Sequence, residues 1–191
     1  MDSILTSIGL VTLAEMGDKT QLLAILLAAK YRKPVPIILG ILIATLLNHL
    51  AAATLGYALS QWLSGLWFRL LVGAGFLLMA GWALVPDKSD ETTAQRSEGS
   101  VMLTTAITFF LVEIGDKTQI ATSLLAARFH AILPVAFGTT IGMLLADGPA
   151  VLFGERVTRL VPLRLMRLAT AALFAGLGLW IVIDALLSSR S

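Results

Sequence analysis

The sequence predicts an all-α integral membrane protein with six transmembrane helices, arranged as two inverted three-helix repeats. Two observations lead to this prediction. Of the 191 residues, 57% are hydrophobic and only 14% are charged, and the mean hydropathy of +0.87 lies outside the range of soluble domains. The chain also repeats itself at an offset of 98 residues. Composition therefore indicates the environment of the chain, and the repeat indicates its architecture.

Six apolar stretches are each long enough to cross a bilayer as a helix, which takes about 20 residues. The hydrophilic segment 86–100 is expected to be a flexible loop. The predicted division is therefore a first repeat over 1–86, a cytoplasmic linker loop over 87–99 and a second, inverted repeat over 100–191. The predicted helices cover residues 3–29, 35–58, 66–85, 100–127, 134–153 and 166–187.

Simple features exclude several classes of function. The chain contains no cysteine, which excludes disulfides, thiolate metal sites and cysteine nucleophiles. The N-terminus lacks the basic start and cleavage signal of a secretory peptide, so the first helix is expected to be retained. The net charge is +2, and its basic residues are scattered over short loops rather than gathered into a patch. No nucleic-acid partner is therefore expected.

The lysines and arginines instead predict the topology. The first, third and fifth loops together carry nine of them, whereas the opposite side carries three. The positive-inside rule places the nine in the cytoplasm and both termini outside. The nine are Lys30, Arg32, Lys33, Lys88, Arg96, Arg156, Arg159, Arg164 and Arg167; the three are Arg69, Arg128 and Arg190.

The internal repeat aligns without a gap. "LAEMGDKTQLLAILLAA" at 13–29 matches "LVEIGDKTQIATSLLAA" at 111–127, with glutamate, glycine, aspartate, lysine, threonine and glutamine in the same places. Because three helices are an odd number, the second half must enter the membrane from the opposite side. Secondary transporters use such inverted repeats and bind substrate near the midplane, where the repeats meet. Matches further along include Pro36 with Pro134, Gly40 with Gly138, Arg69 with Arg167 and Trp82 with Trp180.

Acidic side chains fall at membrane depth in both halves. Each costs about 2.5–3.5 kcal/mol on insertion scales, so such residues usually face a cavity and mark a transport pathway. On a continuous helix, Glu15, Asp18 and Lys19 share one face, and the second motif repeats that face. The five acids are Glu15, Asp18, Glu113, Asp116 and Asp147.

The residues around these acids indicate a cation site. The amide and hydroxyl oxygens of Gln21 and Thr20 join the carboxylates, and Gly17 can let the helix kink or expose a carbonyl group. Such oxygens suit hard divalent ions such as Mn²⁺ and Ca²⁺. Four motif acids less two lysines leave a charge of −2, which one divalent cation neutralises. The predicted metal ligands are Glu15, Asp18, Gln21, Glu113, Asp116, Gln119 and Asp147.

The two motif lysines have two interpretations. Lys19 can pair with Glu15, and Lys117 with Glu113, as i,i+4 ion pairs that only help the helices pack. Alternatively, the lysines are internal cations that occupy the acids when the metal is absent. The sequence leaves both interpretations open.

A histidine in one half aligns with an aspartate in the other, because His49 and Asp147 are 98 residues apart. Histidine titrates near neutrality and can ligate manganese, which indicates proton coupling and mildly favours Mn²⁺. The alternative is a hydrogen bond across helices that serves packing only. Asp184, near the end of the last helix, is predicted to be interfacial. The candidates for proton coupling or gating are His49, Asn48, Lys19, Lys117, Thr20 and Thr118.

The pair "EMGDKT" and "EIGDKT" resembles the duplicated E-x-G-D-[KR]-[ST] signature of the Golgi-type manganese/calcium cation:proton exchanger family. The resemblance covers the whole chain. It implies a secondary transporter that exports Mn²⁺ or Ca²⁺ from the cytoplasm in exchange for protons, with Glu15, Asp18, Glu113 and Asp116 as site residues. It also implies a manganese-exporting member of the bacterial inner membrane, although a chloroplast or cyanobacterial membrane stays open.

Other functions remain as alternatives at this point. An exporter of small organic solutes such as amino acids could use the lysines as carboxylate anchors. A metal-dependent membrane enzyme would need a catalytic pattern that the sequence lacks, so no enzyme activity is expected. A passive channel is a further alternative, and its ion flux would not depend on a pH gradient. No cofactor is expected. The expected partners are the transported ion, protons and the lipid bilayer, with homo-oligomerisation left open.

Overall fold

The computed structural model describes residues 3–85, 100–154 and 162–189, so the predicted linker 87–99 lies outside the described residues. Within those ranges the chain forms α-helices and no strand. The helices are α1 (Ser3–Glu15), α2 (Lys19–Tyr31), α3 (Pro34–Trp62), α4 (Leu66–Ala83), α5 (Val101–Glu113), α6 (Lys117–Phe129), α7 (Leu133–Phe153) and α8 (Leu163–Ser188).

Four helices, α3, α4, α7 and α8, are long and apolar enough to cross a membrane by themselves. Their lipid-facing sides are recognisable on α3, where large apolar residues are exposed at intervals of four. Leu39 and Ile43 are 42% and 41% exposed, whereas Ile41 is fully buried. Exposure of such an apolar surface to water is unfavourable, whereas contact with lipid hydrocarbon is not. The protein is therefore an integral membrane protein.

The two predicted helices that contain the acidic motif are each broken in two. The continuous helix expected over 3–29 is α1 followed by α2, and the one expected over 100–127 is α5 followed by α6. The physical reason is the glycine of each motif. Gly17 has φ 86° and Gly115 has φ 78°, values of the left-handed region that only glycine adopts at little cost.

The halves of the chain interlock through close helix contacts at small residues. A Cβ atom added at Gly40 on α3 would lie 2.7 Å from Cβ of Thr105 on α5. A Cβ atom added at the matching Gly138 on α7 would lie 2.8 Å from Cβ of Ser7 on α1. Close approach at small residues is the usual means of helix packing in membranes.

The directions of the packed helices follow from further contacts. Asn48 lies eight residues after Gly40 on α3, and its amide donates to the carbonyl oxygen of Phe110 on α5 at 3.1 Å. Because Phe110 also follows Thr105, α3 and α5 run in the same direction. Gly142 lies against Ile8 and Val11, so α7 and α1 also run in the same direction.

Helices α4 and α8 run in opposite directions and cross at two glycines. A Cβ atom added at Gly178 would lie 2.9 Å from the carbonyl oxygen of Gly73. Beside this crossing, the rings of Phe76 and Phe174 lie 6.1 Å apart between centroids. The two ends of this helix pair therefore lie on opposite sides of a narrow crossing point.

Candidate cation site

The acidic motifs lie at the two helix breaks, where the backbone makes the same hydrogen bond in each half. Asp18 is the N-cap of α2, and its backbone N–H donates to the carbonyl oxygen of Glu15 at 3.0 Å. Asp116 is the N-cap of α6, and its N–H donates to the carbonyl oxygen of Glu113, also at 3.0 Å. Each break therefore carries one glutamate before it and one aspartate after it.

A glutamine side chain stabilises each break. The side-chain oxygen of Gln21 accepts from the N–H of Gly17 at 3.0 Å, and that of Gln119 accepts from the N–H of Gly115 at 2.6 Å. The amide nitrogen of Gln21 also donates to the carbonyl oxygen of Ala146 on α7 at 3.0 Å. With the Gly17 N–H as its partner, the Gln21 oxygen acts as a support for the break in this structure.

The five predicted acids are all buried. Glu15, Glu113 and Asp147 are 0% exposed, Asp116 is 4% exposed and Asp18 is 7% exposed. One carboxylate oxygen from each of Glu15, Asp18 and Asp116 lies within 4.8 Å of the other two. The helix breaks therefore bring acids from both halves of the sequence into one cluster.

The same-face geometry expected for a continuous helix is wrong, because the break at Gly17 separates Glu15 from Asp18 and Lys19. The residues nevertheless come together by a different route. Glu113 is also fully buried, but it is not part of the three-oxygen cluster.

Several buried polar atoms in this region have no hydrogen-bond partner among the described residues. They include Oε1 of Glu15, both carboxylate oxygens of Glu113, both carboxylate oxygens of Asp147 and Nε2 of His49. Buried polar groups are normally satisfied, since an unpaired one is costly and an unpaired carboxylate is more so. Carboxylate oxygens can coordinate a hard divalent cation, and carboxylates and an imidazole can each accept a proton.

The predicted hydroxyl groups lie beside the acids. The hydroxyl of Thr20 donates to Oε2 of Glu15 at 2.5 Å. The hydroxyl and the backbone N–H of Thr118 lie 3.3 and 3.4 Å from Oδ2 of Asp116. The threonines therefore orient one carboxylate in each half.

Asn48 and His49 lie in the middle of α3, and both are buried. The amide of Asn48 is engaged with α5, which is a packing contact. Nδ1 of His49 lies 3.4 Å from the hydroxyl of Thr140 on α7. The histidine therefore makes a contact across helices and still has a buried nitrogen without a partner.

The motif lysines make other contacts than the i,i+4 pairs considered above. Nζ of Lys19 forms an ion pair with Oδ1 of Asp116 at 2.7 Å, which joins the two helix breaks. Nζ of Lys117 donates to the carbonyl oxygen of Val85 at 3.3 Å and lies 6.0 Å from the ring centroid of Trp82. Both lysines therefore contact the other half of the sequence.

A cavity of about 200 Å³ reaches the cluster from one end of the α4 and α8 pair. Ala83, Val85 and Arg167 line it near that end, and Asp18 and Lys117 also contribute to its lining. Asp18 is therefore the acid of the cluster that this cavity approaches.

The opposite end of the α4 and α8 pair is held by an ionic cluster that the sequence analysis missed. Arg69 donates to Oδ2 of Asp184, and Nη2 of Arg128 lies 3.6 Å from the same oxygen. The Arg128 guanidinium also lies 5.0 Å from the ring centroid of Trp180. Asp184 is therefore not only interfacial; the alignment of Arg69 with Arg167 was the signal that could have drawn attention to this position.

The fold and the site define a class: a membrane protein of two matching halves that enclose a buried acidic centre, as ion-coupled transporters do. The chain belongs to the divalent cation/proton antiporter GDT1 family, whose model matches residues 3–91 and again 101–189. The resemblance found in the motifs is thereby confirmed, and the protein is a member of a family of divalent-cation transporters.

A relative from Vibrio cholerae serotype O1, named "Putative manganese exporter", is 49% identical over 175 residues. The aligned region covers 91% of this chain and 87% of the relative. No solved structure matches the chain significantly.

Proposed function

We propose that the protein is a secondary active transporter that exports divalent cations from the cytoplasm in exchange for protons, with Mn²⁺ as the favoured substrate and Ca²⁺ as the second. The observation that carries this proposal is the set of buried carboxylate oxygens without partners on Glu15, Glu113 and Asp147. Buried carboxylates need a counter-charge or a proton. An antiporter of cations and protons supplies each in turn.

The oxygen cluster suits a divalent cation. Oxygens of Glu15, Asp18 and Asp116 lie within 4.8 Å of one another, and an ion with metal–oxygen distances of about 2.3–2.6 Å can bridge them. The C-terminal ends of α1 and α5 meet the N-terminal ends of α2 and α6 at the two breaks, so their opposite partial charges offset each other and the carboxylates supply the negative charge of the site. The name of the Vibrio cholerae relative favours Mn²⁺ over Ca²⁺.

Alternating access between inverted repeats provides the transport cycle. The matched contacts of α3 with α5 and of α7 with α1 support the inversion, and so does the contact of Thr45 with Met143 at 3.2 Å. These two residues are 98 positions apart, so a residue meets its own counterpart, as on a two-fold axis. In this proposal α1 and α2 together cross the membrane once in the repeat 1–86. In the same way, α5 and α6 together cross it once in the repeat 100–191.

The two ends of the α4 and α8 pair correspond to the two sides of the membrane. The distribution of lysine and arginine assigns the end with Ala83 and Arg167 to the cytoplasm and both termini to the outside. The cavity that reaches Asp18 then opens inward, while Arg69, Arg128 and Asp184 close the outer end. This is an inward-facing arrangement, ready to receive a cytoplasmic cation. The bacterial relative supports location in an inner membrane.

Coupling follows from competition for the same oxygens. A carboxylate that holds a proton cannot bind the metal with that oxygen, so metal binding releases protons and protonation releases metal. Protons that enter from the outside displace the cation there, and the protonated site returns to the cytoplasmic side.

The test uses proteoliposomes with an imposed pH gradient and compares Mn²⁺, Ca²⁺ and Mg²⁺ flux. Glu15→Gln and Glu113→Gln keep side-chain size but remove a charge that the cation needs, so each is expected to abolish Mn²⁺ flux. Glu91→Gln in the hydrophilic segment 86–100 is the matched control and is expected to transport normally. Normal flux in both site variants would refute the assignment, and metal-independent thermal stability of the purified protein would favour an organic solute instead.

A further inference from the structure

The ion pair between Lys19 and Asp116 crosses the boundary between the two halves of the sequence. Lys19 is the first residue of α2, directly after the first break, and Asp116 is the N-cap of α6, directly after the second. Their charged atoms lie 2.7 Å apart. The pair therefore joins the two segments that an alternating-access cycle would have to move relative to each other.

Both oxygens of Asp116 are engaged. Oδ1 pairs with Lys19, and Oδ2 accepts from the hydroxyl of Thr118 at 3.3 Å. In contrast, Glu15 keeps one buried oxygen without a partner and Glu113 keeps two. A cation that enters the cluster therefore meets one ligand that another positive charge already occupies.

We propose that Lys19 takes part in the proposed transport reaction as a tethered cation, which neutralises Asp116 in the metal-free protein and which an incoming divalent cation must displace. This inference rests on the proposed function. A divalent cation bound to Asp116 would repel the ammonium group of Lys19, so both cannot occupy the same carboxylate.

The partial exposure of Lys19 allows its side chain to move away from Asp116. Its side chain is 30% exposed, whereas the side chain of Asp116 is only 3% exposed. Lysine has a flexible four-carbon stem, so the ammonium group can leave the acid without unfolding α2. Displacement is then a side-chain movement rather than a rearrangement of helices.

Displacement has a measurable consequence for affinity. If the ion pair is closed in about nine of ten metal-free molecules, only about one in ten is ready to bind, and the apparent affinity falls about tenfold. The same competition speeds release, because Lys19 returns to Asp116 as the cation leaves. Lys19 would thus weaken binding and favour turnover.

The first experiment measures Mn²⁺-dependent thermal stabilisation and transport. In Lys19→Met the half-saturating Mn²⁺ concentration is expected to fall about tenfold, with a lower kcat, whereas Lys19→Arg stays close to wild type. The control is Lys30→Met on the same helix, whose ammonium group lies 5.0 Å from the ring centroid of Tyr31, and it should not change the Mn²⁺ affinity. An unchanged or weakened affinity in Lys19→Met would overturn the inference.

A second experiment uses the wild-type protein and so does not depend on the folding of a variant. A water-soluble amine-reactive reagent and peptide mass spectrometry report the reactivity of Lys19, with Lys30 as internal reference. Saturating Mn²⁺ is expected to raise the labelling of Lys19 relative to Lys30, because the ammonium group is released from Asp116. If wild-type protein binds Mn²⁺ without this rise, the inference fails while the proposed function stands. If wild-type protein binds no Mn²⁺, the proposed function itself fails.

Discussion

The glycine at the second helix break provides the sharpest test of how the fold builds the site. Gly115 has φ 78°, yet nothing lies within 4 Å of a Cβ atom added there. Gly115→Ala therefore creates no clash, and its only cost is the left-handed backbone, about 1–2 kcal/mol for an L-residue. In a chain of 191 residues this corresponds to a fall in Tm of about 2–8 °C.

Gly176→Ala is the matched control, because Gly176 lies inside α8, has no positive φ and also has nothing within 4 Å of an added Cβ. Replacing a helical glycine by alanine is expected to stabilise by about 0.5–1 kcal/mol. Thermal unfolding in detergent, followed by circular dichroism, measures both variants. Mn²⁺ affinity should also fall in Gly115→Ala alone, since the break orients Glu113 and Asp116. Equal stability of the two variants would refute the claim that backbone conformation at the break requires glycine.

Two further predictions concern the outer end and the support of the first break. Ser60 is 5% exposed and its hydroxyl lies 3.0 Å from Nδ1 of His130, which lines the same small cavity as Arg69 and Arg128. Asp184→Asn removes the acid that Arg69 contacts, so a single cysteine in place of Ser60 should react faster with an impermeant maleimide added from outside. Asp184→Glu should not accelerate the reaction, and an unchanged rate in Asp184→Asn would contradict the closure. Gln21 is 1% exposed, and Gln21→Leu removes two hydrogen bonds, so this variant should lower the free energy of unfolding by about 1–3 kcal/mol. The loss should be smaller in Gln119→Leu, because the second break is less buried. A larger loss in Gln119→Leu in denaturation experiments would be inconsistent with the geometry.

Hydropathy predicted where the apolar helices lie but not where two of them break. The stretch 3–29 is apolar on both sides of Gly17, so periodicity and length indicate one helix. A positive φ is a property of single residues, which hydropathy does not report. The motif suggested that Gly17 can kink the helix, and the structure contains a complete break there with φ 86°.

The identities of the buried acids followed from the sequence because a charge at membrane depth is costly and therefore conspicuous. Their partners did not follow, because sequence spacing reports only neighbours on one helix. Lys19 pairs with Asp116, 97 residues away, rather than with Glu15 four residues before it. Asp184 was interpreted as interfacial for the same reason, since its partners lie on other helices. The ligand roles of the acids stay predictions until a cation is measured.

The central claim is that one buried acidic site exchanges a divalent cation for protons. The most direct measurement loads proteoliposomes with acidic buffer, adds external Mn²⁺ and follows internal Mn²⁺ and internal pH together with two dyes. The account predicts that the pH gradient alone drives Mn²⁺ uptake, that internal pH rises as Mn²⁺ enters, and that both signals vanish in Glu15→Gln. Mn²⁺ uptake without proton movement, or proton movement that does not depend on Mn²⁺, would contradict it.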